Sequence, residues 1–262
     1  MPERIYALAS NQPTKGRLPR VITVLAGLLE SDKKVQRAFL CRDNVEHVYK
    51  VKGEGNHFCG YHNIQMVLSS LDPRTSDCLE DPPHYTVIQL QNMIEKAWDM
   101  GINAHSRIET GGIKNTRKHI GTSEAQALFK SLDISCEARG FGYSRNGKTV
   151  YMDLLDYVEQ YFLTETALNG DTKTKVHRMS LAPIYLQRPR HSLTVVGLEK
   201  RHDGSRALLV FDPGYRPPKG LKRIIAENTT LEHSKTILKA YRKEEKYLRR
   251  YRAFETLAVD HA

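Results

Sequence analysis

Gly53-Glu54-Gly55-Asn56-His57-Phe58-Cys59-Gly60-Tyr61-His62-Asn63-Ile64-Gln65-Met66-Val67-Leu68 runs from a glycine-rich polar turn into an apolar helical pattern. Ile64, Val67, Leu68 and Leu71 recur at helical spacing and define a buried face. Cys59 falls at the junction, where the helix begins. A thiol there feels the positive end of the helix dipole and faces unpaired backbone N–H groups, and both favour the nucleophilic thiolate. Such a nucleophile needs a base and a polar group to orient that base. The chain offers candidates for both much later.

Upstream, the first stretch to Pro19 is polar and reads as a loosely held arm (residues 1–19) ahead of a single domain (20–262). Val21 to Leu29 reads as a short helix, and Val35 to Leu40 and Val45 to Val51 as two short strands. Downstream, Leu71-Asp72-Pro73 ends the cysteine helix, and Arg74 to Tyr85 is a loop. Val87 to Met100 is an amphipathic helix carrying Trp98 as a core anchor. Ile108 to His119 is a basic, glycine-containing exposed loop. Gly121-Thr122-Ser123-Glu124 opens a helix over Ala125 to Leu132, with Thr122 or Ser123 as N-cap. Ile134 to Phe141 alternates as a strand, Ser144 to Lys148 turns, and Val150 to Leu163 is helical. Thr164 to Arg178 is a polar connection.

The last third reads as sheet. Ala182 to Gln187, Ser192 to Leu198 and Ala207 to Phe211 are three strong strand patterns. A turn at Lys200 to Ser205 joins the last two as a hairpin. Arg216 to Gly220 is a turn, Leu231 to Tyr251 a charged helix, and Phe254 to Val259 a final strand. Early helices and late strands imply one α+β domain.

The hairpin has a chemical consequence. His191 leads one strand and Asp212 ends its antiparallel neighbour, so the two lie at the same sheet edge. A carboxylate there orients an imidazole and stabilises its charged form. With Cys59 against that edge, the set is Cys-His-Asp. A lone histidine at that place reads more often as a polar cap of the strand, and it is the neighbouring Asp212 that argues for the chemical reading. Gln187 ends the preceding strand and is either an oxyanion donor beside the Cys59 N–H or an ordinary surface glutamine. His57, Cys59 and His62 suggest a metal, but structural zinc needs four ligands and no second cluster has the spacing. We therefore expect no metal and no cofactor. Cys41, Cys78 and Cys136 read as buried or incidental thiols.

The 262 residues carry a net charge of +10, with 40% hydrophobic and 27% charged residues. That balance suits a globular protein with no membrane span and no secretion signal, hence an intracellular one, in cytoplasm or nucleus, with free thiols. Basic charge admits a nucleic-acid partner, but no zinc-finger spacing, RNA-recognition signature or P-loop appears. A monomer is expected.

The string GxGNHFCGYHNIQMVLSSL closely resembles the catalytic-cysteine segment of peptidase family C78. That family contains proteases for the ubiquitin-fold modifier and ZUFSP-type deubiquitinases. The likeness continues through Ile88 to Gly101, Ile120 to Leu132, Pro183 to Glu199 and Leu208 to Gly214. It implies a papain-like cysteine protease fold with a central antiparallel sheet flanked by helices. It assigns the nucleophile to Cys59, the general base to His191, the orienting acid to Asp212 and the oxyanion donor to Gln187. Proteases for the ubiquitin-fold modifier carry Asp-Pro-His where this chain has Asp-Pro-Gly, ending at Gly214. The resemblance therefore implies ubiquitin or polyubiquitin as partner and cleavage after ubiquitin's C-terminal glycine. Position 62 is His where relatives often have Arg. Glu124 matches an acidic position that contacts the modifier, although charge stabilisation of its own helix start explains it as well. Larger relatives carry zinc fingers and ubiquitin-binding helices before the catalytic domain, so a minimal catalytic module is expected here. The alternatives are a protease for the ubiquitin-fold modifier and a non-catalytic binder of ubiquitin or nucleic acid.

Overall fold

The computed structural model describes residues 1–10, 16–71, 84–142, 149–169, 174–227 and 234–260. Its helices are α1 (Glu3–Ser10), α2 (Val21–Ser31), α3 (Cys59–Leu68), α4 (Val87–Asp99), α5 (His105–Thr110), α6 (Thr122–Ser131), α7 (Val150–Asn169), α8 (Lys219–Glu227), α9 (Ser234–Tyr241) and α10 (Glu245–Leu248). Its strands are β1 (Arg17–Leu18), β2 (Val35–Leu40), β3 (His47–Val48), β4 (Cys136–Phe141), β5 (Val176–Arg178), β6 (Ile184–Arg188), β7 (His191–Arg201), β8 (Arg206–Phe211), β9 (Arg242–Glu244) and β10 (Phe254–Val259). The α+β expectation holds.

The long strand β7 organises the main sheet. β8 runs along one edge of it, from Thr194 to Lys200. The other edge takes β6 against residues 191–195 and β2 against residues 197–201. Gly197 permits the β2 approach, since a Cβ there would lie 2.2 Å from the Phe39 carbonyl oxygen. β10 continues the sheet beyond β6, and β4 beyond β10; all these pairs are antiparallel, whereas β5 joins β2 in parallel.

Alternation along the strands builds two cores. Ile184, Leu186, Phe254 and Ala258 face one apolar cluster, closed by α2, α7, α8 and α9. Tyr185, Leu257 and Val259 face the other, closed by α3, α4 and α6. This is the period-two rule acting on a sheet covered on both faces. Trp98 sits in the second cluster as the anchor expected of it. Edge strand β4 exposes Glu137, Ala138, Arg139 and Gly140, the charged edge that resists further pairing.

Several elements depart from the sequence reading. Residues 3–10, expected in a loose arm, form α1, which buries Ala9 in the second cluster. Only His47 and Val48 of the 45–51 stretch are paired, with Arg17 and Leu18. The 108–119 loop begins inside α5, and the 164–178 connection carries the end of α7 and all of β5. The 216–220 turn runs into α8. The charged helix expected over 231–251 is interrupted, because Arg242–Glu244 pair with Ala207–Leu209 as β9. The guanidinium of Arg242 explains the break: it bonds the buried Glu199 and Asp32, each within 2.8 Å. The 144–148 turn, Cys78 and most of the 74–85 loop lie outside the described residues.

Candidate active site

Cys59 is the first residue of α3, with Phe58 at the N-cap and no side chain capping the helix start. Its first backbone N–H groups are thus unengaged by a cap, and the dipole end points at the thiol. Gly60 is required by close packing. A Cβ there would lie 2.8 Å from the Ile120 carbonyl oxygen and 3.2 Å from the Tyr185 hydroxyl. The helix start is thus pressed against β6, which fixes where the thiol stands.

The sheet brings the partner groups to it. His191 Nε2 lies 2.8 Å from Asp212 Oδ1 across the β7–β8 edge. That leaves Nδ1 for the thiol, which His191 contacts as a hydrogen-bond partner. Asp212 Oδ1 also accepts the Gly214 N–H at 2.8 Å, and Oδ2 faces Lys243 Nζ at 3.7 Å. Burial works against the charge on Cys59, yet hydrogen bonds from His191 and from the Ser192 side chain and N–H prevail and pull its pKa down to about 6. Burial likewise works against the His191 cation, but Asp212 and Cys59 raise it to about 9. Asp212, despite burial, is held down to about 2 by His191, Lys243 and the Gly214 N–H. Between these values the resting site is a thiolate–imidazolium pair beside a carboxylate. The other described cysteines go the opposite way: burial pushes the Cys41 thiol up, and Cys136 up to about 11.

Two further expectations are placed differently. The Gln187 amide nitrogen donates to the Arg188 carbonyl at 2.9 Å, and its oxygen accepts from the Tyr185 hydroxyl at 3.4 Å. The side chain is on the strand beside the site with its donor occupied by main chain. Glu124 is only 7% exposed, and its Oε2 accepts the Gly121 N–H at 2.7 Å. The acid closes the start of α6, with Gly121 rather than Thr122 or Ser123 at the N-cap.

Four residues around the triad carry structure that sequence reasoning passed over. Asn63, fully buried, donates to the Cys59 carbonyl at 2.7 Å and to Ser192 Oγ at 3.0 Å, and accepts from Thr194 Oγ1 at 2.7 Å. It ties α3 to β7. An asparagine four residues after the thiol shares its helix face, which is the signal that marks it. His47 places one ring nitrogen 3.2 Å from the Asp212 carbonyl and the other 3.2 Å from the Tyr241 hydroxyl. Burial lowers its pKa to about 4, so the ring is neutral. A carbonyl only accepts, so Nε2 carries the proton and Nδ1 accepts from Tyr241. His62 lies 2.9 Å from Glu54 Oε1 and, by Nδ1, 2.9 Å from Gln65 Oε1. Burial disfavours its cation, but Glu54 and Gln65 raise its pKa. His62 and Glu54 are both buried, and Glu54 Oε2 also accepts the Val51 N–H at 2.8 Å. The pair pins the glycine turn, whose Gly53 and Gly55 have φ of +92° and +89°. Among the described residues no three His, Cys, Asp or Glu side chains are grouped as a metal site needs.

The sequence matches Peptidase family C78 over residues 34–257. It is 31% identical over 221 residues to human zinc finger-containing ubiquitin peptidase 1, covering 83% of this chain and 36% of that protein. The Rattus norvegicus protein of the same name is 32% identical over 187 residues, 70% of this chain and 32% of that one. Ubiquitin carboxyl-terminal hydrolase mug105 of Schizosaccharomyces pombe is 26% identical over 178 residues, 66% of this chain and 67% of that one. The chain thus spans about a third of the length of the zinc-finger relatives. A crystal structure of UfSP from C. elegans aligns with a TM-score of 0.45 at 14% identity, over 83% of this chain and 33% of that one. No described helix is long and apolar enough to cross a membrane. The family match takes in Cys59, His191 and Asp212 alike, and the chain belongs to peptidase family C78.

Proposed function

We propose that the chain is a thiol-dependent ubiquitinyl hydrolase that cleaves the isopeptide bond after ubiquitin's C-terminal glycine. The observation that carries the reading is the helix-borne Cys59 thiolate held against the His191–Asp212 pair. Membership of a peptidase family and similarity to proteins named as ubiquitin peptidases support it.

In this mechanism the Cys59 thiolate attacks the carbonyl carbon of the terminal glycine. The oxyanion that forms is met by the Cys59 N–H, with Gln187 as second donor once its amide turns from the Arg188 carbonyl. His191 gives its proton to the leaving lysine amine as the C–N bond breaks, and a thioester remains. His191, now neutral, takes a proton from water; the hydroxide attacks the thioester, releasing the ubiquitin carboxylate and restoring the ion pair. Asp212 keeps the imidazole oriented and its charge stabilised throughout. Glu124 is the acid offered to the arginine-bearing tail of ubiquitin.

Gly214 supports ubiquitin over the ubiquitin-fold modifier. Its N–H bonds Asp212 Oδ1, and even a Cβ at this position would lie 3.1 Å from that oxygen. The position serves the acid and offers no histidine. Ubiquitin bearing an electrophile at its C-terminus tests the reading, beside the same probe built on the ubiquitin-fold modifier and a Cys59→Ala control. A Cys59-dependent adduct with ubiquitin is expected. Reaction with the other modifier alone would overturn the choice of substrate, and reaction with neither would leave a binding module.

A further inference from the structure

The cleft beside Cys59 is lined by Lys50, Arg188, Arg190 and Lys243, and Asp212 is its one acidic lining side chain. That carboxylate is committed to His191, Gly214 and Lys243. Arg188 and Lys243 of the lining, and Arg250 next to it, pack on tyrosine side chains. Arg188 Nε donates to the Tyr247 hydroxyl at 2.8 Å, and its guanidinium lies 4.5 Å over the Tyr251 ring. Arg250 lies 4.5 Å over the Tyr247 ring, and Lys243 Nζ 5.1 Å from the same ring. Among the described residues Arg188, Arg190 and Arg250 pair with no carboxylate.

Arg190 is the most telling of them. It is exposed, sits in the two-residue turn between β6 and β7, and has φ of +69°. Glycine, asparagine or aspartate is the ordinary occupant of such a turn position. An arginine there accepts backbone strain to place a charge directly before His191.

We propose that this cationic wall is the leaving-group side of the cleft, and that it selects acceptors whose conjugated lysine is flanked by aspartate or glutamate. The inference rests on the protease reading above. His191 must touch the departing amine, so the acceptor chain passes the turn that delivers His191. The arginines of the ubiquitin tail are repelled by the same wall and enter from elsewhere. An acidic peptide fits better than single-stranded nucleic acid, because the tyrosine faces that bases would stack on are already covered by Arg188, Arg250 and Lys243. Charge complementarity of this kind acts through encounter rate and orientation, and salt weakens it.

The test compares three ubiquitin–isopeptide conjugates that differ only in the residues flanking the lysine: Glu, Gln or Lys. The three bare peptides and a single-stranded oligonucleotide are titrated in parallel into Cys59→Ala by fluorescence anisotropy. At low salt, kcat/KM should fall by about tenfold from the Glu to the Lys conjugate, shrinking to about twofold in 0.5 M salt. Arg188→Gln with Arg190→Gln should compress the ratio similarly, with thermal unfolding showing that the fold persists. Equal rates on all three conjugates overturn the proposal. So does faster labelling of Arg190→Glu by the ubiquitin electrophile, which would place the tail at the wall. Arg190-dependent binding of the oligonucleotide tighter than the acidic peptide overturns it as well. If no conjugate is cleaved, the protease reading fails, and the anisotropy series still decides: an Arg190-dependent preference for the acidic peptide supports the wall, and no preference removes it.

Discussion

Replacing Asp212 by Asn removes one charge and keeps the shape, so it isolates what the carboxylate does for the thiol. The Cys59 pKa of about 6 against an ordinary value of 9.0 corresponds to about 4 kcal/mol of thiolate stabilisation, at about 1.4 kcal/mol per pKa unit. The leading favourable contribution comes from His191, ahead of Ser192, and the His191 cation itself depends on Asp212 at 2.8 Å. Unit charges that close attract by about 6 kcal/mol at an effective dielectric of about 20, an upper bound. Both side chains are about one-fifth exposed, and a carboxylate so placed shifts its partner by roughly 1–3 pKa units. The sign follows from the two limbs. Reactivity rises as Cys59 ionises near pH 6 and falls as His191 loses its proton near pH 9. In Asp212→Asn the alkaline limb moves down by roughly 1–3 units, and the acid limb moves up because the thiolate loses its counter-charge. Alkylation of Cys59 by a small neutral electrophile, followed by peptide mass spectrometry across pH, reads the thiolate without any substrate. The midpoint should climb from about 6 toward the ordinary thiol value of 9.0. Hydrolytic kcat/KM at neutral pH should drop by about 10- to 1,000-fold, the equivalent of that shift. An unchanged alkylation midpoint would refute the chain of reasoning from Asp212 through His191 to Cys59.

Other substitutions probe the supports of the site. Gly60→Ala forces a Cβ to within 2.8 Å of the Ile120 carbonyl, so denaturant unfolding should show a loss of about 1–3 kcal/mol, with lowered turnover. Asn63→Ala strips partners from the Cys59 carbonyl, Ser192 and Thr194; about 2–4 kcal/mol of stability should go, and alkylation of Cys59 should slow with it. Glu54→Gln removes the carboxylate that lies 2.9 Å from the buried His62 ring, which should cost about 1–3 kcal/mol by the same measurement. His62 has a folded-state pKa above its unfolded one, so its contribution is complete below the unfolded value and is lost as pH rises through the folded one. Glu54→Gln should flatten that alkaline loss of stability, seen as unfolding free energy against pH.

The triad was legible because its logic is local. A glycine turn running into an apolar helix fixes Cys59 at a helix start. A hairpin fixes which residue ends lie together, so His191 and Asp212 meet whatever else the chain does. The cysteine helix, the three sheet patterns and the final strand rest on strong periodicity and stand as expected. What failed depended on distant partners. Residues 242–244 carry helical composition, but three ion-pair contacts of Arg242 with Glu199 and Asp32 and pairing with β8 override it. Helix α1 is short, and its packing against α4, with Ala9 in the second cluster, is a distant contact that its own sequence does not announce. Glu124 read equally as a substrate contact or a helix-start charge; its bond to Gly121 shows the helix-start task, and the contact with the modifier belongs to the proposed function. The Gln187 amide donates to the Arg188 carbonyl, a rotamer detail that no spacing encodes; its role as oxyanion donor is part of the proposed function.

The stretch around His47 shows how such non-local structure serves the site. Its short strand β3 pairs with β1 rather than joining the main sheet, and from there it contacts the end of β8. His47 donates to the Asp212 carbonyl, the Lys50 N–H donates to the Pro213 carbonyl at 2.9 Å, and the Gly214 N–H closes back onto Asp212 Oδ1. His47 in turn stacks on Phe211, with ring centroids 4.8 Å apart, and takes the Tyr241 hydroxyl. Asp-Pro-Gly is thus held at the Asp212 and Pro213 carbonyls by a neutral ring and a main-chain N–H, and at Gly214 by the Asp212 carboxylate itself. No competing charge is brought to the carboxylate, so its charge remains directed at His191 and Lys243. A protonatable histidine in contact with the acid's own peptide group would weaken this if it titrated near neutrality. Burial forbids that by holding the ring neutral down to about pH 4, below the range in which Cys59 ionises. The clamp therefore keeps one geometry and one charge state across the whole window in which the thiolate–imidazolium pair exists.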